Sequence, residues 1–236
     1  MFMVNHLNGF GAGGAETDPY FSSVVLLAHM DGTDASTTFT DVKGHTLTAV
    51  GNAQIDTAQS KFGGASGLFD AAADYVSSAD SADWNLGSGD FTIEAWVRFN
   101  TTATDKTIVS QFGASGNRGW NLHLKAGPSL SLQYTTDGST LQYIDNSWSP
   151  STGQWYHAAM SKSGTNTYMF IDGTQIGTTQ TLSGTLYNST IDLNIGGYNN
   201  GAGGFWDGWI DELRITKGVA RYTANFTAPS APFPDE

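Results

Sequence analysis

The chain has 236 residues, of which 39% are hydrophobic, 12% aromatic and 14% charged, a balance typical of a folded domain and not of a disordered or membrane-embedded chain. Ten Lys and Arg stand against 22 Asp and Glu, giving a net charge of −12 that repels nucleic acid and anionic lipid, so neither is an expected partner. The absence of cysteine excludes disulfides, thiolate metal sites and cysteine nucleophiles.

The chain begins with a glycine-rich segment, residues 1–21, which we expect to form a flexible arm. This segment has no Lys or Arg and no apolar run of the length found in export signals. The apolar run at 24–28 is far shorter than a membrane helix requires. Such an arm orders only against a partner, and its apolar residues are the expected points of attachment: Phe2, Val4, Leu7 and Phe10.

Residues 22–217 contain short runs of β-branched and aromatic residues at period two, separated by Gly, Asn, Asp and Ser. No window of helical length shows a period of 3.6 residues. The predicted strands are 23–29, 45–50, 75–78, 91–99, 107–112, 120–125, 129–135, 155–161, 168–171, 174–176, 191–196 and 208–216. So many strands in one domain predict an all-β fold, a two-sheet antiparallel β-sandwich of the jelly-roll kind.

Two of these elements have specific signatures. In 91–99 the odd-numbered residues are apolar and belong in a core, whereas Thr92, Glu94, Trp96 and Arg98 share a face expected to touch solvent or ligand. Asp172-Gly173 predicts a type I′ hairpin. After the last strand, residues 218–236 contain three prolines and predict an extended strap along the domain surface.

The order of motifs resembles the laminin-G-like branch of the concanavalin A-like lectin/glucanase jelly rolls. The segments that carry this resemblance are 27–32, 61–70, 91–98, 153–159, 170–173, 193–197 and 208–215. The ending, residues 216–234, resembles that of such domains in structural proteins of tailed bacteriophages.

Because the superfamily includes glucanases, a pair of catalytic carboxylates has to be considered. The glucanase branch carries Glu-x-Asp-x-x-Glu on one strand, and this chain has no such motif. Glu94 is the only acid in its strand, and the adjacent Asp211 and Glu212 point to opposite faces. None of the five histidines forms a metal-spaced pair, and no serine lies in a nucleophile elbow. We therefore expect no enzymatic activity.

Calcium is the cofactor that the resemblance implies. Asp31 and Asp34 lie on a turn that Asp41 follows, and carboxylates with backbone carbonyls are the oxygens that calcium takes. In calcium-binding relatives the N-terminal Asp-Gly turn and the Asp of the final strand resemble Asp31 and Asp211 here, so these two would share one ion if their strands are neighbours. The alternative is that all four acids cap turns or accept backbone hydrogen bonds.

Carbohydrate binding is expected from aromatic faces beside amides and backbone groups in loops. The candidates are Trp120, Tyr143, Trp148, Tyr198, Asn199, Asn200 and Trp206. The loop 198–205 resembles one that borders the binding edge in this fold.

Together these observations favour a non-enzymatic virion surface protein, made in the host cytoplasm, whose arm attaches to a capsid or tail protein and whose domain adheres to a cell-surface or environmental glycan. Head decoration is preferred to a tail or fibre role, and several copies, as a homo-oligomer or an array, would compensate for weak single-site affinity. The alternatives are a secreted bacterial carbohydrate-binding module and a glycoside hydrolase or lyase of the same superfold.

Overall fold

The computed structural model describes residues 17–236, so the four predicted attachment residues lie outside it. It consists of β-strands with two single-turn 3₁₀ helices, Phe21–Ser23 and Ala82–Trp84. The strands form two antiparallel sheets, which confirms the predicted sandwich. None of the helices in these residues has the length and apolarity needed to cross a membrane.

The first sheet, sheet A, is built around the long strands in the middle of the chain. Numbered in chain order and taken in spatial order, its strands are β14 (Thr174–Gln175), β13 (Asn166–Ile171), β12 (Trp155–Ser163), β7 (Phe91–Phe99), β17 (Asp207–Lys217), β5 (Ser66–Asp70) and β4 (Gln54–Asp56), with β15 (Gln180–Thr181) beside β13 and β1 (Val24–Ala28) beside β17.

The last strand, β17, changes neighbour halfway. Its first part pairs with β5 and its second part with β1, and the register against β7 shifts between Asp211 and Arg214. Glu212 has a φ of 51° at this bulge. The bulge turns Asp211 and Glu212 towards the place where the first and last strands meet.

The second sheet, sheet B, faces the first. In spatial order its strands are β11 (Gln142–Ser147), β10 (Ser129–Tyr134), β9 (Arg118–Lys125), β8 (Lys106–Phe112), β16 (Leu193–Ile195), β6 (Tyr75–Ser78), β3 (Thr46–Val50) and β2 (Thr38–Thr40).

The core lies between the sheets and is formed by the alternate apolar residues of both. The inward residues of β7, including Phe91, Ile93 and Val97, are fully buried, as their spacing predicts. The hairpin between β13 and β14 is also confirmed, because Asp172 and Gly173 both have positive φ, 50° and 77°.

The outer face of β7 departs from the prediction. We expected Thr92, Glu94, Trp96 and Arg98 to touch solvent or ligand, but Glu94 is 0% exposed and Trp96 only 5%. Residues 218–236 run across this face of sheet A without forming helix or strand, and Arg221 N donates a hydrogen bond to Thr92 Oγ1 over 2.8 Å. A covered sheet face becomes a second, partly polar interior.

Candidate functional site

The outer face of sheet B is polar and crossed by one continuous row of side chains. The strand registers place one residue from each of seven neighbouring strands at the same level: Thr48, Ser77, Asn194, Ser110, Asn121, Gln133 and Tyr143. None of them carries a charge at neutral pH. Ser110, Asn121 and Asn194 are at most 2% exposed, so only the hydroxyls and amides towards the ends of the row can offer donors and acceptors to a polyhydroxylated ligand.

A loop, residues 198–205, folds over the middle of this row. Asn200 N donates to Asn194 Oδ1 over 2.8 Å, and Thr107 N donates to the carbonyl of Gly204 over 2.8 Å. Asn199 and Asn200 adopt positive φ, which Asn tolerates better than most residues. The predicted loop residues Tyr198, Asn199 and Asn200 thus lie together on the sheet face.

Beside this loop is a groove of about 380 Å³. Tyr75 forms one wall, and its ring lies so close to Gly201 that a Cβ there would be 2.7 Å from Tyr75 Cε1. Asp192 and Asn200 line the same groove, and Asp192 Oδ2 accepts a hydrogen bond from Ser77 Oγ over 3.1 Å. The remaining lining residues are Thr46, Thr48, Val50 and Ala79.

This combination suits a sugar. A tyrosine ring covers the apolar side of a pyranose or furanose, while a carboxylate and an amide hold its hydroxyls. Among residues 17–236, Asp192 takes part in no ion pair within 4.0 Å, so its second oxygen remains free for a ligand. Sequence reasoning missed Tyr75 and Asp192, because nothing in the local pattern shows that their strand ends lie beside residues 198–205.

Tyr143, a predicted sugar contact, lies on the same face at the far edge of the sheet. Its side chain is 42% exposed, and its hydroxyl accepts a hydrogen bond from Gln133 Nε2 over 2.9 Å. Lys125 Nζ lies 4.5 Å from the centre of its ring. These contacts hold the exposed ring in a fixed position.

Two other predicted sugar contacts are corrected by the structure. Trp120 and Trp206 are fully buried between the sheets, and the indole Nε1 of Trp120 donates to the carbonyl of Trp84. Their large apolar surface is used for packing. Trp148 is partly exposed and packs edge-on against Phe99 at the margin of the core, so its role as a sugar contact stays a prediction.

The predicted metal residues separate into two groups. Asp34 Oδ1 accepts hydrogen bonds from Thr57 N and Oγ1, and Asp41 accepts from the backbone of Leu27 and His45, so both carboxylates are already engaged as caps. In the part of the chain that is described, no three His, Cys, Asp or Glu side chains cluster.

Asp31 and Asp211 behave differently. Asp211 is 0% exposed; its Oδ2 accepts from Lys61 N and Phe62 N at 2.8 and 3.2 Å, whereas its Oδ1 has no hydrogen-bond partner among residues 17–236. Asp31 Oδ1 is likewise buried, with no partner in the same described part of the chain. The turn at Gly63 lies against Asp31, since a Cβ on this glycine would be 2.0 Å from Asp31 Oδ2.

The electrostatics of these two acids disfavour two negative charges side by side. Burial, together with the nearby charges of Glu212 and Asp31, raises the pKa of Asp211 to about 7, although the hydrogen bonds from Lys61 N and Phe62 N act in the opposite direction. Burial also raises the pKa of Asp31. The buried Asp211 and the partly buried Asp31, each with a buried oxygen that accepts no hydrogen bond among residues 17–236, lie beside a tight turn and are the kind of oxygen ligands that calcium prefers.

The fold and these sites together define a lectin-like jelly-roll sandwich with a groove on the outer face of sheet B. A family model described as the Concanavalin A-like lectin/glucanases superfamily matches residues 70–221. The chain therefore belongs to this family, which confirms the resemblance read from the motifs.

Several solved structures share the fold. The binding domain of Paraclostridial Mosquitocidal Protein 1 aligns with a TM-score of 0.62 at 17% identity, over 86% of this chain and 50% of that chain. The receptor binding domain of botulinum neurotoxin D aligns with a TM-score of 0.60 at 13% identity, over 85% and 51%.

A third structure matches along nearly its whole length. Domain 4 of AbnA, a GH43 extracellular arabinanase from Geobacillus stearothermophilus solved with arabinotriose, aligns with a TM-score of 0.61 at 19% identity, over 84% of this chain and 94% of that chain. The chain spans about half the length of the two toxin domains. No curated protein matches its sequence.

Proposed function

We propose that the chain is a non-enzymatic glycan-binding domain whose site is the groove on the outer face of sheet B. The observation that carries this proposal is the meeting of Tyr75, Asp192 and Asn200 in one open groove, an aromatic ring beside a carboxylate and an amide. Membership of a lectin/glucanase superfamily and the arabinotriose complex of the AbnA domain support the same class of ligand.

A panel of immobilised neutral and acidic glycans, with arabinotriose among them, tests the proposal. We expect binding to at least one neutral glycan and a loss of affinity of about fivefold or more in Tyr75→Ala, because stacking contributes about 1 kcal/mol or more. Tyr20→Ala is the control, since Tyr20 is a surface tyrosine, 44% exposed, that lies outside the groove. Binding to no glycan would refute the proposed function. An equal loss of affinity in both variants would refute the assignment of the groove as the binding site.

The same geometry supports a binding role over a hydrolytic one. Glu94, the acid of the central strand, is fully buried and bound by Arg214 Nη2 at 2.8 Å, and Asp211 is equally inaccessible. A glycosidase requires two carboxyls that flank a bound substrate. Release of sugars from a polysaccharide, lost in Glu94→Gln or Asp211→Asn, would establish the hydrolase alternative instead.

At the level of the organism we propose display on a tailed-phage particle, with head decoration preferred to the tail. The resemblance of residues 216–234 to the ending of phage structural proteins supports this proposal. So does the position of Asp18, whose N donates to the Glu236 carbonyl over 2.7 Å and whose carboxylate binds Arg214 on sheet A, away from the groove. Attachment through residues 1–16 would then leave the groove facing outward.

Electron microscopy of particles labelled with an antibody to this chain tests the display proposal. Label on the head supports decoration, label on the tail favours the tail alternative, and a chain found only free or secreted by bacteria would point to the secreted binding module. Glycan binding in solution is measured separately, so the two proposals fail independently.

We also propose that Asp31 and Asp211 hold one calcium ion, which would neutralise their charge and join the first strand to the last. Excess calcium at about 100 times its Kd should stabilise the protein by about 2.7 kcal/mol relative to chelator. Asp211→Asn should lose this increment, whereas Asp34→Asn should keep it because the Asp34 carboxylate already caps Thr57. An unfolding midpoint that calcium does not change would contradict the assignment.

A further inference from the structure

A second cavity, the end pocket, lies at the end of the sandwich where β5, β7 and β9 end and β8 and β17 begin. Its volume is about 450 Å³, and it shares no lining residue with the groove beside Tyr75. Its walls are mostly small and apolar, with one amine, one carboxylate and one hydroxyl among them: Ala71, Ala103, Thr104, Asp105, Lys106, Ala126, Gly204 and Phe205.

Hydrogen bonds fix the loops that form the end pocket. Thr107 N donates to the carbonyl of Gly204 over 2.8 Å, which holds the loop 198–205 against the start of β8. Asp105 Oδ1 accepts a hydrogen bond from Ala126 N over 2.7 Å, so the carboxylate joins the loop before β8 to the turn after β9. The shape of the pocket is therefore determined by backbone contacts between distant parts of the chain.

The unusual group in this pocket is Lys106, the first residue of β8, which is only 3% exposed. Its Nζ donates a hydrogen bond to the carbonyl of Phe205 over 3.0 Å. Among residues 17–236, no carboxylate lies within 4.0 Å of this Nζ. Lysine is almost never buried without an ion pair, because the ammonium form carries a full charge and three donors. The surroundings of Lys106 thus favour its neutral amine.

The protonation of this amine follows from its position. Burial lowers the pKa of Lys106 below the usual range for lysine, although the charge of Asp207 acts in the opposite direction. Near neutral pH, each unit by which the pKa falls raises the neutral fraction about tenfold. The neutral amine has a lone pair, and a lysine desolvated in an apolar pocket is a nucleophile towards carbonyl carbons.

We propose that Lys106 captures small aldehydes in the end pocket as imines. The Nζ lone pair attacks the carbonyl carbon to form a C–N bond, a proton passes from nitrogen to the former carbonyl oxygen, and loss of water leaves a C=N bond. Asp105 lines the same pocket and can transfer this proton. The step consumes no oxidant or reductant. This site is separate from the groove and does not depend on the proposed glycan binding.

The experiment exposes the full chain to propanal at neutral pH, with cyanoborohydride to reduce any imine to a stable secondary amine. Peptide mass spectrometry then gives the modified fraction of each of the six lysines. At low conversion we expect several-fold more modification at Lys106 than at the partly exposed Lys61. Lys162 is the control for burial alone: it is 1% exposed, donates to two carbonyls at 2.7 and 3.1 Å, and should be the least modified.

Ala103→Phe tests the pocket itself. Ala103 is exposed and lines the pocket, so a larger side chain should narrow it without disturbing the core, and modification of Lys106 should fall several-fold. Ala114→Phe, also at an exposed alanine but outside the pocket, should leave it unchanged. Modification of Lys106 no faster than that of Lys61 or Lys162, or a rate that Ala103→Phe does not change, would overturn the proposal.

Discussion

The outer faces of the two sheets are built by the same alternation of inward and outward side chains, but they differ in how much of the face is covered by other parts of the chain. On sheet A the outward residues Glu94 and Arg214 are buried beneath residues 218–236. On sheet B the loop 198–205 buries the middle of the outer face, including Ser110 and Asn194, whereas the part beside Tyr75 remains accessible as a groove. Whether outward polar residues of a strand form an interior or a binding face is decided by which distant segment covers them.

The covered face holds a network of buried charges. Glu94 accepts hydrogen bonds from Arg214 Nε at 2.9 Å and from the Tyr222 hydroxyl at 2.9 Å, and Asp18 pairs with Arg221 at 2.6 Å. Phe233 stacks on the Arg214 guanidinium at 3.7 Å. Each charge has a partner, which is the condition under which buried ions are tolerated.

Removing one member of this network should have the largest effect on folding. Glu94→Gln leaves the buried Arg214 without its counter-charge, and the free energy of unfolding should fall by about 3 to 5 kcal/mol. Urea denaturation measures this change. Glu236→Gln, an exposed acid at the end of the same covering segment, should change stability by less than about 0.5 kcal/mol. Similar free energies of unfolding for the two variants would contradict the stabilising role of the buried charge network.

Truncating a buried side chain of the covering segment, residues 218–236, should lower the free energy of unfolding nearly as much. Phe233 is buried against Arg214 and lies near His157, so Phe233→Ala should cost about 3 kcal/mol through lost packing. The same denaturation experiment measures it, with glycan affinity as a second reading that should not change. A loss of glycan binding in the folded variant would mean that the two faces are not independent.

Acid should weaken the covered face through Glu94. Burial alone would raise the pKa of Glu94, but Arg214, His157 and Arg221 more than offset it and lower the pKa to about 2. Because the folded pKa lies below the unfolded value, the stabilisation is complete above about pH 4.3 and should decline by about 2 kcal/mol as the pH falls towards 2.5. The free energy of unfolding of Glu94→Gln, measured against pH, should lack this decline. Identical pH profiles for the variant and the unaltered chain would contradict the role of Glu94.

A substitution in the groove on sheet B should have the smallest effect on the free energy of unfolding. Asp192→Asn replaces a partly exposed groove carboxylate and should change the free energy of unfolding by less than about 0.5 kcal/mol. Glycan affinity should nevertheless fall several-fold, because a charged acceptor binds a hydroxyl more strongly than an amide does. Calorimetry and denaturation on the same sample separate the two effects. A large loss of stability would show that Asp192 has a structural role.

Sequence patterns predicted the sandwich because alternation over strands such as β7 and β9 is strong and local. They missed β11, whose sequence Gln142–Ser147 is mostly polar and buries only Ile144 and Asn146, and they also missed the short strands β2, β4, β5 and β15. They also assigned Trp120 and Trp206 to a binding role, since an aromatic residue beside a glycine-rich turn looks the same whether it faces the core or solvent.

The candidate site was predictable only in part. The loop residues 198–200 and Tyr143 could be found from local composition, but Tyr75 and Asp192 join them through pairing of β6 with β16, a long-range contact without local signal. The burial of Glu94 depends on Tyr222 and Arg214, more than 100 residues further along the chain. Such contacts follow from topology and not from any short window.

The most direct test of the open face is an NMR titration of the isotope-labelled full chain with the longest neutral oligosaccharide that it binds. We expect shift changes concentrated at Tyr75, Asp192 and Asn200, with residues 218–236 unaffected. Changes confined to the covering segment, or to the region around Asp31, would place the ligand on the other sheet and contradict the account.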